Sequence, residues 1–321
     1  GLGWHHALAH AVENSHALSG LRAHFDLKID ALARDLGCAL LDAFHEHCRV
    51  IGKDPPARPR VCVVGRRESP VFSDVRMLVE AFREAGLCAA YADPREFDET
   101  ADGLTHEGQR VDLIYRDGIQ ELISPAAFDK TRKILDACRE RKVCVVNPLA
   151  ARRMSLKSLM ALMSDNATNG VFTEEERRHI ARFLPWTRLV RAATTTYDNR
   201  SVRLDRFIIE NRLNLIMKPV YGYGGRDVFI GRDADPETWR AVLSHACQGV
   251  ADYLVQEYVE PGVEQLPQID PHGRIVFHPL AANLGLWVFN QRFAGAYVRT
   301  SESSVVNVHR GGAIIPVAYL T

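Results

Sequence analysis

The sequence has no stretch approaching the ~20 consecutive apolar residues that a membrane-spanning helix requires, and no signal peptide opens it. It also lacks an excess of charge, because 40 Lys and Arg residues balance 40 Asp and Glu residues. Balanced charge argues against nucleic acid or an anionic membrane as a partner. We therefore expect a cytoplasmic protein that acts on small molecules, and the sequence leaves the oligomeric state open.

Cysteine spacing gives no zinc site. The cysteines are odd in number, scattered and mostly inside apolar runs, which predicts reduced core residues. There are seven of them: Cys38, Cys48, Cys62, Cys88, Cys138, Cys144 and Cys247. His6 and His10 lie four residues apart and could share a metal on a helical face, but no third ligand is evident and solvated helix-surface histidines are commoner. The sequence also lacks a G-x-S-x-G nucleophile motif.

What is present is the composition of a globular protein with a large core, 46% hydrophobic and 25% charged over 321 residues. A helical pattern runs from Trp4 to about Cys48, and a proline-rich linker follows at 55–59. Strand patterns then alternate with helix patterns, which predicts a three-layer α/β domain over residues 58–150. The predicted strands are 60–65, 87–92, 110–116 and 143–147, and the predicted helices are 73–85 and 125–141.

Two features of this domain bear on ligand binding. Gly65 is a single glycine at the end of a predicted strand, so the dinucleotide-binding fingerprint is missing. Arg116 and Asp117 end another strand, at the edge of the sheet where α/β proteins bind their ligands. A surface ion pair explains the two charges equally well.

The stretch 213–231, LNLIMKPVYGYGGRDVFIG, predicts a strand, a glycine-rich turn and a second strand. Glycines let backbone N–H groups approach phosphoryl oxygens, and Lys218 adds a positive charge. A P-loop and a dinucleotide fold both place their glycines before a helix, and a protein kinase places its lysine after them. Taken alone, the hairpin fits an ordinary turn as well as a phosphate site.

A predicted helix at 236–247 leads to the strand 253–259, YLVQEYV, which precedes a Pro-Gly turn. Such a strand resembles the hinge that holds adenine in the ATP-grasp fold, where strand backbone can bond the adenine edge and a carboxylate can accept the exocyclic amine. The order of lysine, glycine hairpin, helix and Gln-Glu strand resembles the circularly permuted ATP-grasp family, which includes glutathionylspermidine synthase-like proteins of type 2.

Further motifs extend the resemblance over nearly the whole chain. Residues 157–165 fit the pattern K-x-x-x-A-L-x-S-D, and the P-W-T-R run at 185–188 is similar to one in the family. Arg299 and Asn307 fall in runs similar to T-R-L-S and L-N-V. The resemblance implies that Lys218 and Arg299 are catalytic and that Asn307 binds metal. It implies nucleotide contacts at Lys157, Lys218, Gly222, Tyr223, Gly224, Gly225, Gln256, Glu257, Tyr258 and Val259.

The resemblance implies the α/β (α+β) class and a circularly permuted ATP-grasp fold with a three-layer α/β pre-ATP-grasp-like domain. Residues 1–57 would be a helical remnant of the permuted part, 58–150 the three-layer domain and 151–321 the nucleotide-binding region. The implied reaction uses ATP and Mg²⁺ to join a small-molecule carboxylate to an amine through an acylphosphate. Lys157, Lys218 and the glycine loop would hold the phosphates of ATP. Arg299 would offset the charge that develops as the γ-phosphoryl group moves.

Two departures from the family keep other functions open. Asn283 stands where relatives carry acidic residues, and the expected Glu and Asn ligands of Mg²⁺ would lie upstream of Gly1. The missing acidic positions favour a nucleotide-binding pseudoenzyme. An ATP-grasp phosphotransferase is a second alternative, and a structural α/β protein with an ordinary glycine turn is a third.

The chain after the hinge predicts a loop at 260–273 and short antiparallel strands at 274–281, 285–289, 293–300 and 305–309. Earlier, Thr173 and Glu176 form the pattern of a capping box at the start of a helix. The segment 193–211 is expected to bridge to the glycine hairpin.

Overall fold

A computed structural model describes residues 2–116, 128–165, 170–222, 224–302, 306, 312–315 and 317–320. Its helices are α1 Leu2–Glu13, α2 His16–Arg22, α3 Leu32–Ile51, α4 Phe72–Glu84, α5 Phe128–Arg139, α6 Ser158–Ser164, α7 Glu174–Phe183, α8 Leu204–Glu210 and α9 Pro236–Cys247. Shorter 3₁₀ turns cover Leu149–Ser155 and Arg212–Asn214. Among the helices described, none is both long and apolar enough to cross a bilayer.

The strands are β1 Leu27–Ile29, β2 Arg60–Val64, β3 Cys88–Ala92, β4 Asp98–Thr100, β5 Gly103–His106, β6 Gln109–Val111, β7 Leu113–Arg116, β8 Cys144–Val146, β9 Thr187–Leu189, β10 Thr194–Tyr197, β11 Arg200–Arg203, β12 Leu215–Pro219, β13 Phe229–Ile230, β14 Tyr253–Glu257, β15 Gly262–Ile269, β16 Ile275–Phe289, β17 Arg292–Ser301, β18 Ala313–Ile315 and β19 Ala318–Leu320.

The described chain divides into two compact units. The first unit comprises 1–149, 284–299 and 314–321, and the second comprises 150–283 and 300–313. The division into functional segments 1–57, 58–150 and 151–321 stays a prediction.

The first unit is built on a four-stranded parallel sheet in the order β3-β2-β7-β8. Every residue of β2 is buried, because both faces of the strand are covered. Val61 and Val63 join one core with α3 and α4, whereas Cys62 and Val64 join a second core that includes Ile134 of α5. Helices on both faces of a parallel sheet make the predicted three layers.

Several elements of this unit depart from the predicted pattern. The helical pattern predicted from Trp4 to about Cys48 is confirmed by α1, α2 and α3, but it is wrong at 27–29, which form the short strand β1 paired with β19. An unpredicted antiparallel sheet, β4-β5-β6, precedes β7. All seven cysteines are free, but Cys38 and Cys88 are exposed, so the prediction of core positions is wrong for these two.

Arg116 lies at the end of β7, and its side chain is buried. Its guanidinium donates to the backbone carbonyl of Asn147 at 2.6 Å and to that of Pro148 at 3.3 Å. Arg116 therefore ties the ends of two strands together, while its sequence neighbour Asp117 falls outside the described residues.

The second unit contains a four-stranded antiparallel sheet in the order β13-β12-β14-β9. Leu215, Met217 and Val255 point from one face of this sheet into a core with Trp239 of α9 and Ile208 of α8. The bridge expected at 193–211 is a β10-β11 hairpin followed by α8.

The loop predicted at 260–273 is wrong. Residues 262–269 form β15, which pairs antiparallel with residues 275–282 of β16. The strands predicted at 274–281 and 285–289 are one continuous strand, and the strand predicted at 305–309 lies outside the described residues apart from residue 306. Seven of the eight residues of β15 are exposed, so burial imposes no alternation of apolar and polar residues on its sequence, and its partner strand supplies its hydrogen bonds.

Candidate functional site

Lys218 lies in β12 of the second unit, on the face of the sheet opposite to the core with Trp239. Strand alternation sends Met217 into that core and Lys218 to the other face. Ile216 pairs directly with Gln256 of β14, so Gln256 shares the face of Lys218. The Lys218 ammonium donates to Gln256 Oε1 at 2.7 Å.

Lys157 directly precedes α6 and contacts the glycine-rich turn. Its ammonium donates to the carbonyl of Gly222 at 2.5 Å, and its backbone N–H donates to the carbonyl of Val220 at 3.4 Å. Burial lowers the pKa of Lys157 below its ordinary 10.5. Burial first, and then the positive charge of Lys157, lower the pKa of Lys218 as well. The structure thus brings the two predicted phosphate lysines within electrostatic range of each other.

The glycines of the turn have backbone conformations that other residues adopt only with strain. Gly222, Gly224 and Gly225 have φ angles of +137°, +76° and +70°. A Cβ on Gly224 would meet no atom within 4 Å, so the turn requires glycine there for its backbone and not for lack of space. Tyr223, also predicted to contact nucleotide, falls outside the described residues.

Arg152 contacts Tyr221, the residue that directly precedes Gly222 in the turn. Its guanidinium carbon lies 4.2 Å from the ring centroid of Tyr221, a cation–π distance. Tyr221 is 49% exposed. Together with Lys157, this places two cationic side chains against consecutive residues of the turn.

The predicted adenine hinge has Gln256 and Glu257 on opposite faces of β14. Glu257 accepts hydrogen bonds from the backbone N–H of Trp186 at 3.1 Å and from the Tyr197 hydroxyl at 2.9 Å. The carboxylate is therefore anchored to the protein, although it keeps acceptor capacity for a further donor. The pKa of Tyr197 is raised, first by the hydrogen bond from its hydroxyl to Glu257 and then by burial.

A cavity of about 970 Å³ lies beside the end of this hinge. Glu257 and Val259 line one part of it, and the apolar side chains of Phe172, Ile180 and Leu184 line another. Val259 is 64% exposed. The neighbouring Tyr258 uses its backbone N–H to bond the carbonyl of Asn214 at 2.9 Å. A flat apolar ligand with an amino group would find suitable surroundings there.

Thr187 and Arg188 belong to the site although their side chains had no predicted role. Both are buried in β9, next to Gln256 in the sheet. Arg188 donates to Thr195 Oγ1 at 2.7 Å and to the carbonyl of Ser164 at 2.8 Å, and burial lowers its pKa. The P-W-T-R run at 185–188 was the only signal for these residues, because their contacts depend on the pairing of β9 with β14.

Two predicted site residues remain, Arg299 and Asn307. Arg299 belongs to the first unit, where its guanidinium carbon lies 5.4 Å from the ring centroid of Tyr297. Asn307, the predicted metal ligand, falls outside the described residues. Within those residues, no group of three or more His, Cys, Asp and Glu side chains is arranged to hold a metal ion.

No protein-family model matches the chain, and no curated protein matches it. Among solved structures, a glutathione synthetase-like effector from Globodera pallida is 10% identical with a TM-score of 0.59, over 98% of this chain and 68% of that one. A D-cycloserine synthetase is 15% identical with a TM-score of 0.44, over 80% of this chain and 75% of that one. An ATP-grasp RimK-domain protein from Sphaerobacter thermophilus is 14% identical with a TM-score of 0.39, over 77% and 74%.

The likeness to the effector, which spans nearly the whole chain, concerns the fold. This chain has an α/β fold of the ATP-grasp type, as predicted. The circular permutation and the subtype of the family stay predictions.

Proposed function

We propose that this protein is an ATP-dependent ligase that joins a small-molecule carboxylate to an amine. The observation that carries the proposal is the pair formed by Lys157 and Lys218, whose ammonium groups are anchored by neutral oxygens of Gly222 and Gln256. In the part of the chain that the structure describes, neither lysine takes part in a salt bridge. Two close cations without an acidic partner attract an anion with several charges, such as a triphosphate.

The surroundings of the hinge support a purine base as the other end of this ligand. The cavity beside Glu257 and Val259 is large enough for a base and is apolar on one side. Glu257 keeps acceptor capacity for an exocyclic amino group, and Val259 is exposed at the end of the hinge.

The proposed reaction has two steps. A substrate carboxylate takes the γ-phosphoryl group of ATP, releasing ADP and forming an acylphosphate. The amine then attacks the acyl carbon, loses a proton and displaces phosphate, which leaves an amide. Lys157, Lys218 and the glycine turn would hold and orient the phosphates, and the proposed role of Arg299 is to offset charge. Mg²⁺, proposed at Asn307, would neutralise phosphate charge when bound.

Nucleotide binding tests the first part of the proposal. Calorimetric titration with Mg-ATP should show binding to the unchanged protein. Lys157→Met and Lys218→Met should each weaken it about 10- to 100-fold, the effect of losing one charge-assisted hydrogen bond. Lys130, exposed at the start of α5, provides the matched control, because Lys130→Met removes the same charge elsewhere. Absence of binding, or equal loss in all three variants, would sink the proposal.

Product analysis tests the second part. Incubation with ATP and mixtures of acids and amines should release ADP and phosphate, with an amide detected by mass spectrometry. A phosphorylated product without an amide would mean a phosphotransferase instead. Binding without turnover over a wide substrate screen would mean a pseudoenzyme, a candidate favoured by Asn283, which stands where an acidic residue is expected.

A further inference from the structure

A chain of three hydrogen bonds fixes the side chain of Lys218. The Lys218 ammonium donates to Gln256 Oε1 at 2.7 Å, Gln256 Nε2 donates to Thr187 Oγ1 at 2.8 Å, and the Thr187 hydroxyl donates to the carbonyl of Pro185 at 2.8 Å. Gln256 is 6% exposed and Thr187 is fully buried, so water does not compete for these groups. We refer to these three bonds as the Thr187–Gln256 relay.

The two ends of the relay force its direction. An ammonium group can only donate and a backbone carbonyl can only accept. If the amide of Gln256 were turned over, its NH₂ group would face the Lys218 ammonium, and Thr187 would have to give up Pro185 to donate to the amide oxygen. Each bond therefore supports the next, and the Thr187 hydroxyl holds the amide of Gln256 in the orientation that presents Oε1 to Lys218.

The group of the relay that accepts from the Lys218 ammonium, Gln256 Oε1, carries no charge. A carboxylate at position 256 would hold the ammonium equally well but would cancel most of its charge. An amide oxygen fixes the position of the ammonium and leaves the positive charge for a ligand. Lys157, whose positive charge acts on Lys218, is also anchored by a neutral oxygen, the carbonyl of Gly222.

We infer that Thr187 and Gln256 are positioning residues that hold the Lys218 ammonium in one place for a phosphate group without neutralising it. The inference rests on the proposed function, since it assigns the relay to the phosphate end of the nucleotide site. It gives Gln256 a role at the lysine rather than at the base, and it gives Thr187 a role that its sequence context does not indicate.

Four variants separate positioning from structural support. Thr187→Val removes the hydroxyl at nearly constant shape, and Thr187→Ser keeps it. Gln256→Glu replaces the neutral acceptor by a charged one, and Lys218→Arg identifies the signal of Lys218 in spectra. Calorimetry with Mg-ATP gives the affinity, thermal unfolding gives the stability, and NMR of ¹³C-methylated lysines reports on Lys218 in the absence of nucleotide.

We expect Thr187→Val to weaken Mg-ATP binding about fivefold and to move the Lys218 resonance. Thr187→Ser should restore both within about twofold. Gln256→Glu should raise the pKa of Lys218 measured by NMR and weaken binding about tenfold or more, because the new carboxylate pairs with the ammonium.

The outcomes distinguish the inference from the function on which it rests. If the unchanged protein does not bind Mg-ATP, the proposed function fails, while the NMR measurements still show whether the relay holds Lys218. If Mg-ATP binds and Thr187→Val leaves affinity and resonance unchanged, the inference is overturned. It is also overturned if Thr187→Val and Thr187→Ser lose affinity and thermal stability equally, since that result means structural support alone.

Discussion

At the scale of single residues, Lys218 is a group whose burial opposes its charge. Burial and the charge of Lys157 lower the pKa of Lys218 below 10.5 in the folded protein. The unfolded chain therefore binds more protons than the folded protein between the lowered pKa and 10.5, and the free energy of unfolding rises with pH in that window. The penalty for burying the ammonium is present at neutral pH and disappears toward alkaline pH.

We predict that Lys218→Met removes this pH dependence. The stability of the unchanged protein relative to the variant should increase from pH 7 to pH 10, because only the unchanged protein is relieved of the buried charge. Urea unfolding of both proteins at the two pH values measures the difference. Lys130→Met serves as the exposed control, and a difference that is constant with pH, or that shrinks, would contradict the prediction.

The sequence indicated the lysines of the site better than their partners. Lys157 and Lys218 follow from motif order, because each stands at a recognisable place before a helix or a glycine turn. The alternation of β14 also implies that Gln256 and Glu257 face opposite ways, whereas the resemblance implies nucleotide contacts for both. Thr187 could not be assigned, because its hydroxyl acquires a role only when β9 pairs with β14.

At the scale of elements, α7 depends on its N-terminal cap. Thr173 Oγ1 accepts from the backbone N–H of Glu176 at 3.3 Å, and the Glu176 carboxylate accepts from the backbone N–H of Thr173 at 2.7 Å. This is the predicted capping box. None of the residues of α7 is buried, so tertiary packing adds little to hold the helix.

We predict that Thr173→Ala frays α7 without unfolding the second unit. The loss of a threonine cap costs about 1 kcal/mol, and amide hydrogen exchange in 174–183 should accelerate about fivefold. Thr173→Ser keeps the acceptor and should exchange at nearly the original rate. Faster exchange in α9 as well, or no change in α7, would refute a purely local role for the cap.

Elements were predictable where their pattern is local. The buried strand β2 and the helix α4 repeat their apolar residues within a few positions, and both lie close to their predicted bounds. The sequence predicts a loop where β15 lies, because seven of its eight residues are exposed and its pairing with β16 is not visible in the residues themselves. The same reason explains the unpredicted β10-β11 hairpin.

At the scale of the whole molecule, the first unit is assembled from segments far apart in sequence. The carboxylate of Asp30 accepts from the backbone N–H of Ala296 at 3.1 Å and from the Tyr319 hydroxyl at 2.8 Å. Gly295 makes this approach possible, since a Cβ there would lie 2.4 Å from the carboxylate. Neither hydropathy nor motif spacing could join three such segments, because no local pattern encodes the contact.

Tyr319 offers a measurement of this non-local contact. Burial, together with the hydrogen bond to Asp30, raises the pKa of Tyr319 to about 12 from its ordinary 10. A phenol with a raised pKa contributes stability that is fully present below pH 10 and is lost as the pH rises toward 12, because the unfolded chain ionises first. The contact is thus strong at neutral pH and fails under alkaline conditions.

We predict that Tyr319→Phe costs about 1 kcal/mol of unfolding free energy at pH 7, the contribution of one hydrogen bond. At pH 11 the difference between the two proteins should shrink, because only the unchanged protein loses the Tyr319 contribution. Urea unfolding at both pH values measures this, and Tyr221→Phe, which leaves the Asp30 contacts intact, is the control. A difference that stays constant between pH 7 and pH 11 would mean that the hydroxyl of Tyr319 is not held by Asp30 in solution.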